Sequence, residues 1–404
     1  MHRMKIAALT ATVALGVLTG VGGQAGAQGV TAYEGARVIV GDGRVLDNTT
    51  LVVSGTKIVQ VGGVVPAGAT RVNLAGKTVM PMLLDTHTHL STTRDKLVLD
   101  LRQRAYFGVG AALSLGTDNY ELLDLRNKDN PGMARFFSAG KGISRTEGRP
   151  TLEINSVEEA RKAVQTNVAN KVDIIKVWVD DRDGKVDKVL PSQYEAAIDE
   201  AHKNGLRVTA HIFNEIDGKR LIRAGIDAFA HSVRDKDIDD EMLSLYKSKP
   251  NLVVNPNLPD RGIKQDLSWL KASLAPADYA KLEEGNTERP QQQAAYGIQA
   301  RNLAKINAAG VKIVLGTDGN RAWSPHEEAA DMVAAGMTPM QVIAAATKNA
   351  AEFLKMSDTG TLEVGKNADF IVLDANPVDD ISNTRKISQV ILRGAAVDRS
   401  KLPI

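Results

Sequence analysis

The spacing of apolar positions changes twice along the chain. In "ARVIVGDGR", "TTLVVSGTKIVQVGG" and "TRVNLAGKTVM", within residues 31–80, Val, Ile and Thr alternate with polar residues, and Gly-Asp-Gly and Ser-Gly-Thr separate the runs. A period of two broken by turn residues predicts short strands. The same texture returns near the other end in "KNADFIVLD" and "ISQVILRGAAVD". Residues 28–80 and 363–404 are therefore expected to build one small β-sandwich domain from both chain ends.

Residues 81–362 alternate short apolar runs with amphipathic stretches. Strands are predicted at 82–85, 110–115, 134–139, 172–179, 207–212, 227–232, 251–256 and 311–318. Ser156-x-x-Glu159 and Ser192-x-x-Glu195 read as capping boxes, and Pro325 and Pro339 follow Ser324 and Thr338 at first helical positions. Eight strand–helix units predict an α/β fold, a (β/α)8 TIM-like barrel with its active groups at the C-terminal ends of the strands. The polar segment 257–290 is the longest insertion between predicted strands. It is a lid over the barrel mouth, a substrate wall, or a helical excursion on the surface.

Composition narrows the function. The chain is 43% hydrophobic and 24% charged, as globular proteins are, and its 4% aromatic content argues against a stacking platform for nucleic acid. Residues 1–27 combine a basic start, an apolar small-residue run and "AGA" before Gln28, the pattern of a cleaved export signal. The mature protein is then expected in the periplasm or outside the cell. Loss of Arg3 and Lys5 with the leader leaves acidic and basic residues equal in number. Such a chain has no bulk attraction for nucleic acid or, once the leader is gone, for a membrane; the expected partner is a small-molecule substrate, and a homo-oligomer is left open. The absence of cysteine excludes disulfides, Cys-ligated zinc and a thiol nucleophile.

The seven histidines are unevenly placed. His2 belongs to the leader, and His202 sits near a predicted helix C-terminus, where a cation suits the helix dipole. His87, His89, His211 and His231 each fall at or near the end of a predicted strand, as do Asp318 in "VLGTD" and Lys176 in "VDIIKVWV". His87 and His89 are two apart, so a strand points both to one side. Four imidazoles and a carboxylate converging without thiolate suit a hard or borderline divalent metal, zinc first, with manganese, cobalt or iron allowed. A lysine in an apolar strand is costly while charged. Either its head snorkels to solvent, or carbon dioxide converts it to a carbamate whose two oxygens can bridge a pair of metal ions.

With these residues the chain resembles the amidohydrolase superfamily: HxH (His87, His89) after the first strand, Lys176 on the fourth, His211 on the fifth, His231 on the sixth and Asp318 on the eighth. "GARVIVGDGR", "TPMQVIAAATKNAAEFL" and "TGTLEVGKNADFIVLDANPVDDI" are similar to segments flanking the barrel in imidazolonepropionase-related and prolidase-like (Xaa-Pro dipeptidase-like) members. The resemblance implies that His87, His89 and Asp318 hold one metal and His211 and His231 another, with carbamylated Lys176 bridging. Two such ions, roughly 3.5–4 Å apart, would share a hydroxide, and Asp318 would act as general base and then acid in hydrolysis of a small-molecule amide or peptide-like C–N bond. A glutamate shortly after the fifth-strand histidine marks mononuclear deaminases, and Glu215 in "HIFNEIDG" has a different spacing. The alternatives are a lactonase or phosphotriesterase-like hydrolase, a mononuclear cyclic-amidine hydrolase, and a non-catalytic binding barrel. For substrate contacts, His326 in "SPHEEAADM" resembles a histidine that often follows the eighth strand, although its place in a capped helix equally gives it a structural role. Arg145, Arg234, Arg261 and Arg321 lie in segments after predicted strands, where a guanidinium can clamp a carboxylate.

Overall fold

The computed structural model describes residues 29–128, 130–145, 151–181 and 184–403. The leader expected at 1–27 lies outside them. All eight central strands form: β1 (Leu83–Thr88), β2 (Val109–Ser114), β3 (Arg135–Ser138), β4 (Ile175–Val179), β5 (Val208–Ile212), β6 (Ala228–Ala230), β7 (Val253–Asn255) and β8 (Lys312–Ile313). Their pairing is parallel throughout, in the ladder β1-β2-β3 and in a second ladder running from β4 to β8. Short strands Ile143–Ser144 and Leu152–Glu153 extend the second ladder beyond β4.

The ladders are separate sheets, and backbone bonds bridge them. Thr86 N donates to Leu315 O at 3.0 Å and Thr317 N to His87 O at 2.9 Å, while Asp173 N donates to Ser138 O at 2.9 Å on the other side. The arrangement is barrel-like in connectivity without one continuous closed ladder. Along β4, Ile175, Val177 and Val179 join the large apolar cluster that includes the helix residues Leu97, Val164 and Ile198. Ile174, Ala228, Ala230, Val253 and Val314 make a second cluster. The strands are thus buried on both faces, which is why their sequences read as near-continuous apolar runs.

Ser156 and Glu159 close the expected capping box, as do Thr338 and Gln341. The third helix differs: it begins at Pro191, with Leu190 N bonded to Gln193 Oε1, so Ser192 lies inside the first turn. Between β2 and β3 the chain uses a 3-10 helix, Tyr120–Asn127, in place of an α-helix.

Strands from both termini do associate, in one hydrogen-bonded mixed sheet of eight strands. Phe370–Leu373 from the C-terminal part pairs antiparallel with Thr78–Pro81, which runs parallel to the long strand Val30–Ile39. Tyr33 and Phe370 meet edge to face at 5.1 Å in the core of this sheet.

Candidate metal centre

Each candidate ligand is delivered by a strand end. His87 ends up fully buried in β1, and His89 follows one residue past it. Asp318 comes from the turn after β8 with φ +54°, and His231 from the end of β6 with φ +118°. Both are non-glycine residues in left-handed backbone, a cost of about 1–3 kcal/mol each that is tolerated where neighbouring contacts over-determine the geometry. The passage of the chain into Asp318 also requires Gly316, because a Cβ there would lie 2.7 Å from His87 N and 2.2 Å from Asn255 Nδ2.

His87 Nε2 and His89 Nε2 both lie 3.1 Å from Asp318 Oδ1, and His231 Nε2 lies 3.5 Å from Oδ2. Ligand atoms of His87, His89 and Asp318 all fall within 4.8 Å of one another. The His231 ring centroid is 5.1 Å from that of His87 and 4.4 Å from that of His211, so the imidazoles form a continuous group. Burial makes the charged imidazole unfavourable. The His87 pKa is pushed down to about 3 by burial and then by Lys176, that of His211 to about 4 by burial, and that of His231 well below its usual value. Burial opposes ionisation of Asp318, yet His87 and His89 outweigh it and keep its carboxyl well below the usual range. Neutral imidazoles around a carboxylate are the protonation states that a divalent cation requires.

Lys176 is fully buried, its Nζ accepts and donates no hydrogen bond, and it stands 5.3 Å from the centre of the Trp178 ring. Burial lowers its pKa to about 7. The snorkelling alternative is therefore excluded: the head does not reach solvent. Both ring nitrogens of His231 are likewise buried without a hydrogen-bond partner. Buried polar atoms without partners are uncommon and call for an explanation, and this set of N and O donors fits a divalent metal.

The outer partners were not among the candidates named from sequence. Asp180 Oδ2 lies 2.9 Å from His211 Nε2, which leaves Nδ1 available to a ligand. Asn257 Oδ1 lies 2.7 Å from His87 Nδ1, which leaves Nε2 facing Asp318. Such partners fix the tautomer and orientation of ligating histidines. Asp85, fully buried, accepts from Thr317 Oγ1 at 3.0 Å and so ties β1 to the turn that carries Asp318; burial raises its pKa to about 6. The signal was present in the alternation: Asp85, His87 and His89 share a strand face, as do Lys176, Trp178 and Asp180, and Asn255 and Asn257.

The expected substrate contacts divide. Arg234, close enough to Asp180 and Asp318 to feel their charge, has buried Nε and Nη2 atoms without a hydrogen-bond partner. Arg145 Nη2 is 3.1 Å from Asp187 Oδ2, and Arg261 Nε is 2.7 Å from Asp331 Oδ1. Arg321 is exposed on the wall of a cavity beside Thr317. His326 does not join the cluster's hydrogen bonds. It is fully buried, with Nδ1 3.0 Å from Thr384 Oγ1 and Nε2 2.8 Å from Phe107 O, so both nitrogens are committed to packing the helix Ser324–Ala334. The resemblance around His326 thus corresponds here to a structural role.

Residues 78–397 match the amidohydrolase family. The chain is 26% identical over 412 residues to ochratoxinase of Aspergillus niger, covering 87% of this chain and 82% of that protein. It is 24% identical over 382 residues to imidazolonepropionase of Deinococcus radiodurans, covering 88% and 94%. A solved structure of a putative prolidase from Bifidobacterium longum superposes with a TM-score of 0.76 at 28% identity, covering 93% of this chain and 96% of that one. The family match spans most of the chain, and the protein belongs to the amidohydrolase family.

Proposed function

We propose that the protein is a binuclear metal-dependent hydrolase of amide or peptide-like C–N bonds in small molecules. The single observation that carries this reading is Lys176, buried without a hydrogen bond among neutral imidazoles and beside a carboxylate. His87, His89 and Asp318 would hold one ion and His211 and His231 the other, with the carbamate of Lys176 between them; zinc is the first candidate. Bound there, the ions would lower the pKa of a coordinated water and polarise the scissile carbonyl.

The remaining work falls to the chain. Asp318 accepts a proton from the attacking water and returns it to the leaving nitrogen, which needs an ionised carboxylate at the start of the cycle; its low pKa meets that need. Asp180 and Asn257 hold His211 and His87 in the ligating tautomers. Arg234, with two unpartnered nitrogens beside Asp318, is suited to a substrate carboxylate. Export under the leader 1–27 places this activity in the periplasm or outside the cell.

A second reading has one observation in its favour. The compact group of ligand atoms is a triad, His87, His89 and Asp318, which suffices for a mononuclear enzyme. Metal analysis of the purified protein, with activity measured against amides, esters, phosphotriesters and cyclic amidines, separates the two. Two ions per chain with amide turnover is the expected result, and one ion with cyclic-amidine turnover sinks the binuclear reading.

A further inference from the structure

Beside Asp318 the barrel mouth opens into a cavity of 330 Å³. One wall is the segment after β7, from Leu258 to Arg289; the other is the start of the helix Ser324–Ala334; the floor reaches Thr317, the neighbour of Asp318. Of the readings open from sequence, the segment forms a wall here, built on the 3-10 turn Ser268–Leu270 and the helix Pro276–Glu284.

The charges in this cavity are sorted by depth. Lys281 and Arg321 are exposed at its rim. Asp260 is paired with Arg289 at 2.6 Å, and Asp331 with Arg261 at 2.7 Å. Glu328 differs. Its side chain lines the cavity in a residue only 5% exposed, and the Leu258 amide donates to Oε1 at 3.1 Å. Among the described residues no lysine, arginine or histidine comes within ion-pair distance of it. Burial, and then Asp331 with Asp85 and Asp318, pushes its carboxyl well above the usual range. A buried carboxyl with one amide partner and acidic neighbours keeps its proton until a cation joins it and offsets the cost of the charge.

We propose that this cavity is the subsite for a cationic side chain of the substrate, an ammonium or guanidinium on an amino-acid or dipeptide-like molecule, with Glu328 as its counter-charge. The proposal rests on the amide-hydrolase reading for which bond is cut, and adds which molecules are chosen. The apolar stem of a lysine- or arginine-like chain packs along Leu258, Ile263 and Leu282, and the charged head reaches Glu328. A neutral chain of the same length fills the space but leaves Glu328 unpaired.

Calorimetric titration of the full-length mature protein with free L-lysine, L-norleucine and L-glutamate tests this without turnover. All three share the α-amino and α-carboxyl groups, so only the side chain differs. Lysine is expected to bind about tenfold or more tighter than norleucine, the scale of a hydrogen-bonded charge pair. Glu328→Gln, which keeps an acceptor for the Leu258 amide, should bring the two affinities within about twofold. A variant that is merely less well folded weakens both ligands and keeps their ratio, and the wild-type comparison needs no variant. Equal affinities, a preference for glutamate, no measurable binding of lysine, or a lysine preference that survives in Glu328→Gln each overturns the proposal. Failure of the metal-loaded enzyme to cleave any amide would remove the hydrolase reading and leave the binding ratio to stand on its own.

Discussion

The metal centre and the terminal sheet handle charge in opposite ways. In the terminal sheet, cations lie on the outside and find carboxylates: Arg71 meets Glu34 at 2.6 Å, Lys77 meets Asp374 at 2.6 Å, and Arg44 meets Asp42 and Glu363, each at 2.6 Å. At the barrel mouth, Lys176 and His231 are buried with nitrogens that make no hydrogen bond, and Arg234 has two such atoms. Exposed pairs in water contribute little, because solvent screens them and the side chains lose freedom. Buried groups without partners reduce stability, and a fold tolerates them where they serve a ligand. The location of unmet polarity, rather than the number of charged residues, separates scaffold from working site.

The strongest way to break this contrast is Lys176→Ala. If Lys176 supplies a bridging carbamate, the variant loses bound metal and nearly all activity, and added short carboxylates restore part of both. Metal analysis showing unchanged ion content and full turnover would refute the bridge. Asp318→Asn should lower kcat by roughly two to four orders of magnitude, the range for losing a general acid–base group. Normal turnover with metal retained removes Asp318 from proton transfer.

Asp180→Asn reaches the same site through His211. An amide can present its NH2 to His211 Nε2 and favour the wrong tautomer, so metal affinity or activity should fall by roughly 10–100-fold. Competition with a calibrated chelator measures it, and unchanged affinity means that Asp180 does not orient the ring.

Lys176 also sets a pH dependence in the metal-free protein. The unfolded chain keeps this proton up to about pH 10.5, whereas the folded chain releases it near pH 7. Between those values the unfolded state binds more protons, so stability rises with pH. Urea unfolding in the presence of chelator should show that slope. Lys176→Met should flatten it and raise stability at pH 7 by an amount on the order of a few kcal/mol. A slope unchanged by the substitution would mean that the lysine stays charged in the fold. At the small end, Arg71→Ala should leave activity and the denaturation midpoint unchanged within error, since both partners of its ion pair are solvated.

What sequence could show follows from how local each feature is. The eight strands were legible because each buries both faces and reads as an apolar run of its own. The clustering of these side chains was legible because His87 and His89 need only strand parity to be related, and the others end runs of the same kind. The order of strands in the terminal sheet was not: the same alternating segments allow several orders, and the choice lies in which edges pair. Asp180 and Asn257 escaped notice because a carboxylate or amide at a strand end is common, and only the distance to a histidine gives it meaning. His326 stayed open between substrate contact and structural role for the converse reason, since its neighbours in sequence say nothing of Thr384 and Phe107, which take up its ring.

The bridge between Thr88 and Gly319 joins positions 231 residues apart. Synthesis proceeds from the amino end, so His87 and His89 emerge long before the carboxylate that completes their triad. Contacts of such sequence separation form late, because a long loop must close first. A nascent or truncated chain ending before residue 318 therefore carries the four candidate histidines without the carboxylate they surround. The cluster of histidines around a carboxylate is complete only in a polypeptide made to its last barrel turn.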